Sequence, residues 1–156
     1  MDYKTIHFTR KTYAGYKVDV DLNAMNATNF IALWDRLFND TDKTLMKEDD
    51  AFIGFESYLG FGKMQYFALA PKHAIKTLKK DHHVVELPKG DYLLFKNTIV
   101  THGPAFFKTV YTFIKDNHID IDRTFDIEYI PRTFNRDDGK SPIYVGVKLI
   151  NNNDRM

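Results

Sequence analysis

Between Thr12 and Leu22 apolar side chains recur at every second position, at Tyr16, Val18, Val20 and Leu22, and this period predicts a strand. Residues 23–29 are small and polar, with Asn26 and Thr28 as candidate helix N-caps. The period then lengthens. Phe30, Ile31, Leu33, Trp34, Leu37 and Phe38 follow helical spacing, with Asp35 and Arg36 outward. Thr41–Asp50 is a charged loop. Ala51–Leu59 and Lys63–Ala70 read as two strands joined by a hairpin turn at Gly60 and Gly62, and Pro71 stops the second.

The second half follows the same order. A strand is expected after Gly90, through Asp91–Phe95. His102-Gly103-Pro104 opens a helix, because proline suits the first helical turn. Phe106, Phe107, Val110, Phe113 and Ile114 form its apolar face, and Asn117 ends it. Thr124–Ile130 and Ile143–Ile150 are the last two strands, separated by a polar turn region, and the tail from Asn151 to Met156 is expected to fray. Strand, helix, strand, strand thus occurs twice. Gly15 corresponds to Gly90 and Phe52 to Phe125, at offsets of about 75 and 73 residues. The fold class predicted is α+β within one domain, residues 1–156, made of pseudo-repeats at about 3–80 and 81–150. The sheet should be largely antiparallel with helices on one face, leaving a central cleft along a pseudo-two-fold seam.

Composition narrows the class. The 156 residues are 44% hydrophobic and 28% charged, a globular balance. No apolar run approaches the roughly 20 residues of a membrane span, and no secretory signal is visible. The absence of cysteine excludes disulfides, thiolate zinc sites and a cysteine nucleophile; a cytoplasmic location is expected. Twenty-two basic residues oppose 21 acidic ones, net +1, so direct nucleic-acid binding is not expected. The basic run from Lys72 to Lys80 is read as a solvated face. Aromatic residues reach 15%, from thirteen Phe, nine Tyr and one Trp, more than a core of this size needs, and some are expected to line a pocket.

Catalytic motifs are sparse. Neither Ser57 nor Ser141 lies in a nucleophile elbow. Gly60-Phe61-Gly62-Lys63 lacks the rest of a phosphate-binding loop. No two of the six histidines share helical i, i+4 spacing, so neither a metal nor a cofactor is expected. The informative residues are acids inside aromatic strands. Asp126 and Glu128 share one strand face, and Glu56 shares a face with Phe52, Gly54 and Tyr58. A carboxylate facing a cavity is costly unless paired, and a cationic ligand would relieve that cost.

Several phrases resemble the GyrI-like effector-binding domain, which occurs alone and fused to AraC-type and MerR-type transcription regulators. They are Arg10-Lys11-Thr12-Tyr13-Ala14-Gly15, Asn29-Phe30-Ile31-Ala32-Leu33-Trp34, Phe52-Ile53-Gly54-Phe55-Glu56-Ser57-Tyr58, Leu87 to Phe95, and Ile143 to Leu149. The resemblance spans about Tyr3 to Ile150 and rests on the order and spacing of the phrases. It implies tandem strand–helix–two-strand units around a cleft for amphipathic, often cationic, small molecules. It also implies an acidic anchor in the penultimate strand. Here that strand reads Phe125-Asp126-Ile127-Glu128-Tyr129: Asp126 fits the family spacing and Glu128 the residue type, and Glu128 is favoured. Gly146 stands where the family often has proline.

The expectation is therefore a stand-alone small-molecule-binding protein related to bacterial transcription regulators and multidrug binders, with no catalytic residue assigned. Glu128 is the anchor and Asp126 its alternate. Trp34, Phe38, Phe55, Tyr58, Tyr111 and Tyr144 are the wall candidates. No helix-turn-helix precedes the first strand, so any regulatory role is expected to run through ligand capture or a protein partner. Two rival readings are a hydrolase of reactive small molecules using the cleft glutamate, and a gyrase-inhibitor-like interaction module.

Overall fold

The computed structural model describes residues 1–24 and 27–150, with nothing said of the side chains of Ala27 and Thr28. The cap candidates Asn26 and Thr28, and the tail from Asn151, therefore lie outside what is described. The elements run β1 (Tyr3–Phe8), β2 (Thr12–Asp21), α1 (Ala27–Asp40), β3 (Ala51–Gly60), β4 (Lys63–Pro71), β5 (His83–Glu86), β6 (Gly90–Thr98), α2 (Pro104–Asp116), β7 (Phe125–Pro131) and β8 (Pro142–Lys148). Each predicted strand and helix is present. Two short strands, β1 and β5, precede the expected order in each half.

All eight strands form one curled antiparallel sheet in the order β1-β6-β8-β7-β3-β4-β2-β5. Exchanging β1 with β5, β2 with β6, β3 with β7 and β4 with β8 gives the same order read backwards. The N-terminal β1 pairs with β6, and β5 returns to pair with β2, so each half supplies an outer strand to the other. The inner strands β3 and β7 pair with each other at the centre, with Gly54 opposite Glu128 and Glu56 opposite Asp126.

Period-two alternation sorts the sheet's side chains into two layers. On one face, Ala14, Tyr16, Phe52, Met64, Tyr66 and Ala68 pack under Phe30, Leu33, Trp34 and Phe38 of α1. On the same face, Leu93, Phe95, Val145 and Val147 pack under Phe107, Val110, Tyr111 and Ile114 of α2. The register carries this face continuously across the centre, from Phe52 through Ile130 and Glu128 to Val145 and Phe95. Ile31, expected on the apolar face of α1, is instead exposed, because it falls outside the stripe defined by Phe30, Leu33, Trp34 and Leu37. The opposite face buries Tyr13, Ile53, Leu69, Tyr92, Leu94 and Ile127 against one another as the sheet curls. Phe52 and Phe125 lie on opposite faces, so the offset of 73 does not relate equivalent side chains. Only an even offset preserves the face between β3 and β7, and 72 brings Glu56 onto Glu128.

At the β3–β4 hairpin Gly60, Phe61 and Gly62 all have positive φ, at 83°, 55° and 74°. Glycine adopts this region without the steric cost other residues bear there. Among the described residues no helix is long and apolar enough to cross a membrane.

Candidate functional site

The helices flank the central strands, leaving β3 and β7 as the floor between them. Three acidic side chains rise from this floor toward the helix side: Glu56, Asp126 and Glu128, at 9%, 0% and 8% exposure. Among the described residues no lysine or arginine pairs with any of them. Their partners are tyrosines and one histidine, besides the hydrogen bond that Glu56 and Asp126 share. That is unusual chemistry for buried carboxylates, which are ordinarily neutralised by a fixed cation.

Glu128 has a partner at each oxygen. The Tyr66 hydroxyl, from β4, donates to Oε1, and Trp34 Nε1 in turn donates to the Tyr66 oxygen at 2.9 Å. His102, on the segment between β6 and α2, sets its Nε2 against Oε2, while its buried Nδ1 has no hydrogen-bond partner among the described residues. Glycine at position 54 makes room for this arrangement. A Cβ there would collide with Glu128 Oε1 and stand 2.8 Å from the Tyr66 hydroxyl oxygen.

Asp126 and Glu56 form the second part of the cluster. Tyr58 and Tyr111 donate to Asp126 Oδ2 at 2.7 Å and 2.6 Å, and the Tyr58 hydroxyl also lies 3.1 Å from Glu56 Oε2. Asp126 Oδ1 is buried and, among the described residues, receives no hydroxyl, amide or basic donor; the side-chain partner that remains to Asp126 is the neighbouring Glu56 carboxyl. Burial, then the neighbouring Asp126, pushes the Glu56 pKa well up, and burial likewise raises Asp126. Burial and the adjoining carboxylates raise the hydroxyls of Tyr58, Tyr66 and Tyr111, which remain donors.

Retention of a proton on Glu56 makes stability depend on pH. The unfolded chain releases this proton near the ordinary value of 4.5, whereas the folded chain keeps it to higher pH. Folding therefore takes up a proton in that window, and stability falls as pH rises through it, by up to about 1.4 kcal/mol per pH unit per proton. Glu56→Gln is expected to flatten this slope from pH 4.5 upward. Urea midpoints across pH 4–9 measure it, and an unchanged slope would place the proton elsewhere.

The structure brings Glu128, Asp126, Trp34, Tyr58 and Tyr111 together on the floor and flanks of the seam. Phe38 is on the same side but is engaged in packing, edge-on to Phe52 at 5.0 Å and tilted against Trp34 at 5.5 Å. Phe55 and Tyr144 do not belong with them. Alternation turns both to the opposite face, where Phe55 stacks on Phe125 at 5.1 Å and Tyr144 meets Tyr129 at 5.9 Å edge-on. Tyr66, His102 and Gly54 were not singled out as site residues from sequence. Their signal is combinatorial: position 54 shares the Glu56 face, and His102 stands immediately before the helix.

His102, Tyr58 and Tyr111 cover the cluster, and the two surface depressions described lie elsewhere. One, about 600 Å³, is lined by Lys11, Tyr13, Lys47, Asp50, Lys72 and His73; the other, about 270 Å³, is lined by Arg10 and Glu86–Lys89. Among the described residues no group of three or more acidic or histidine side chains is placed to hold a metal ion.

The family model of Cass2, an integron-associated effector binding protein, matches residues 7–147. None of the curated proteins matches the chain. Among solved structures, a Staphylococcus aureus MU50 protein provisionally named for bacterial transcription regulation is 14% identical. The match covers 97% of this chain and 99% of that one with a TM-score of 0.73. SAV2435 bound to tetraphenylphosphonium is 16% identical, over 96% and 94% of the two chains, with a TM-score of 0.69. The Vibrio cholerae integron cassette protein is 12% identical, over 95% of each chain, with a TM-score of 0.58. At these identities the three share the fold.

Proposed function

The chain belongs to the Cass2 family of integron-associated effector binding proteins, a GyrI-like family, and from that premise we propose that it captures lipophilic cations in the seam between α1 and α2. Binding a small-molecule effector is the family's role; the charge of the ligand and its anchor are the present reading. The observation that carries it is Glu128, a buried carboxylate held by Tyr66 and His102 with no lysine or arginine partner among the described residues. Such a site gains most from a ligand that brings positive charge together with apolar surface. Trp34, Tyr58 and Tyr111 supply aromatic faces, each contributing about 0.5–2 kcal/mol by cation–π attraction. Tetraphenylphosphonium on SAV2435, a chain of the same fold, supports the ligand class. His102 holds Glu128 Oε2 in the structure, and its imidazole is the contact that an entering cation replaces.

Trp34 is the sole tryptophan and is two hydrogen bonds from Glu128 through Tyr66, so it reports on the site directly. Titration with tetraphenylphosphonium is expected to change its fluorescence with an affinity of roughly −6 to −8 kcal/mol, micromolar to tens of micromolar. Tetraphenylborate, of the same shape and opposite charge, is expected not to bind. Equal binding of the two would remove the electrostatic part of the proposal, and no binding of the phosphonium would remove the proposal itself.

A further inference from the structure

We propose that Asp126 and Glu56 form a second cation subsite beside Glu128, so that the ligands matching the seam best are dications. The expected ligand has a lipophilic cationic head and a primary ammonium about 6–7 Å from it, the reach of two strand residues. This inference rests on the capture of lipophilic cations proposed above and names the ligand subclass.

Three observations carry it. First, Asp126 and Glu128 are two residues apart on one face of β7, so their carboxylates are presented side by side along the floor. Second, Asp126 is completely buried with two tyrosine donors on Oδ2, while among the described residues no hydroxyl, amide or basic group donates to Oδ1, and the side-chain partner that remains to Asp126 is the Glu56 carboxyl. That acceptor depends on the proton Glu56 keeps, and an ammonium aimed at it would supply the donor directly. Third, Glu56 lies directly across from Asp126 in the β3–β7 register and is buried beside it. Two such carboxyls cannot both ionise cheaply without a cation between them.

The groups facing the pair are Tyr58 from β3, Tyr111 from α2 and Glu128 from β7, with Tyr66 of β4 behind Glu128. Arg123, just before β7, acts on Tyr111 and forms no salt bridge with either acid among the described residues. The proton retained by Glu56 therefore does in the ligand-free protein what a fixed cation would do. An ammonium placed against Asp126 Oδ1 and Glu56 takes over that role. Glu56 then ionises and its proton passes to solvent, while the ligand keeps its own proton. A monocation held at Glu128 makes no such exchange.

The test compares (4-aminobutyl)triphenylphosphonium with pentyltriphenylphosphonium, which differ in a terminal ammonium against a terminal methyl. Calorimetry at pH 7 in two buffers of different ionisation enthalpy reads both affinity and protons. The amino compound is expected to bind at least tenfold more tightly and to release a substantial fraction of one proton, and the pentyl compound to release none. Asp126→Asn is expected to erase the difference between the compounds and to change pentyl affinity by less than about threefold. Glu56→Gln, which retains the neutral form, is expected to abolish proton release and serves if Asp126→Asn does not fold. Pentyl binding with no gain and no proton release for the amino compound overturns the second subsite alone. Failure of both compounds to bind overturns the subsite and the capture of lipophilic cations together.

Discussion

Gly15→Ala is expected to destabilise the fold by about 4 kcal/mol, the upper range for overpacking at a rigid contact. The reason is local and steric. A Cβ at position 15 would collide with the Ala68 carbonyl oxygen and stand 2.9 Å from its carbon and 3.1 Å from Leu69 Cα. All three are backbone atoms of β4, the strand that pairs with β2 through Gly15↔Leu69 and Tyr16↔Ala68. No rotamer change relieves the clash; the two strands must part, and β2 also carries β5 on its other edge. For a domain of this length the loss corresponds to a fall in melting temperature of about 8–16 °C. Gly60→Ala is the informative comparison. A Cβ there meets nothing within 4 Å, and the cost comes only from φ of 83°, about 1 kcal/mol. If Gly15→Ala melts within a few degrees of the parent protein, the close approach of β2 to β4 is not as described.

The second large effect falls on ligand affinity. Glu128→Gln is expected to weaken tetraphenylphosphonium binding by about 1–3 kcal/mol, or roughly 5- to 150-fold, the scale of a charge-assisted contact in a partly desolvated site. Stability should move by less than about 1 kcal/mol. The amide oxygen can still accept from Tyr66, and the amide nitrogen can stand against His102 where the carboxylate oxygen stood. Asp126→Asn should leave binding of this monocation nearly unchanged, because its single charge is held at Glu128 and Asp126 is already satisfied by Tyr58, Tyr111 and the proton on Glu56. Affinities of the two variants, with urea midpoints of both, are the measurement. A large loss at Asp126 with none at Glu128 would move the anchor one strand step.

The course of the chain was legible because its periods are clean. Both helices, both hairpin glycines and the inner strands follow from spacing. The short strands β1 and β5 did not stand out, because they are edge strands whose residues, such as His7, His83 and Val84, are largely exposed and carry no continuous apolar face. The acidic cluster was half legible. Alternation alone placed Asp126 with Glu128 and Glu56 with Tyr58. The same alternation excludes Phe55 from the face of Tyr58. Tyr144 suits a wall by residue type, and only the β7–β8 register, which pairs it with Tyr129 and Val145 with Glu128, turns it away. What spacing could not supply was the β3–β7 register that sets Glu56 against Asp126, or the reach of His102 and Tyr66 to Glu128. Those are contacts between residues 26 to 70 positions apart.

The outer strands crossed between halves have a bearing on how the chain could be cut. Three of the strand pairings, β1–β6, β3–β7 and β2–β5, join residues on either side of the connection between β4 and β5. That connection, residues 72–82, begins with a 3-10 turn at Lys72–Ala74, buries Ala74, Ile75 and His82, and is exposed from 76 to 81, where a cut would spare those contacts. Fragments severed within it would still present one another with three complementary edges, the arrangement that sustains fragment complementation. The carboxylates lie on the middle of those pairings, so Glu56 would arrive with one fragment and Asp126 and Glu128 with the other. Ligand binding would then report reassembly of the two pieces, with neither fragment able to bind alone.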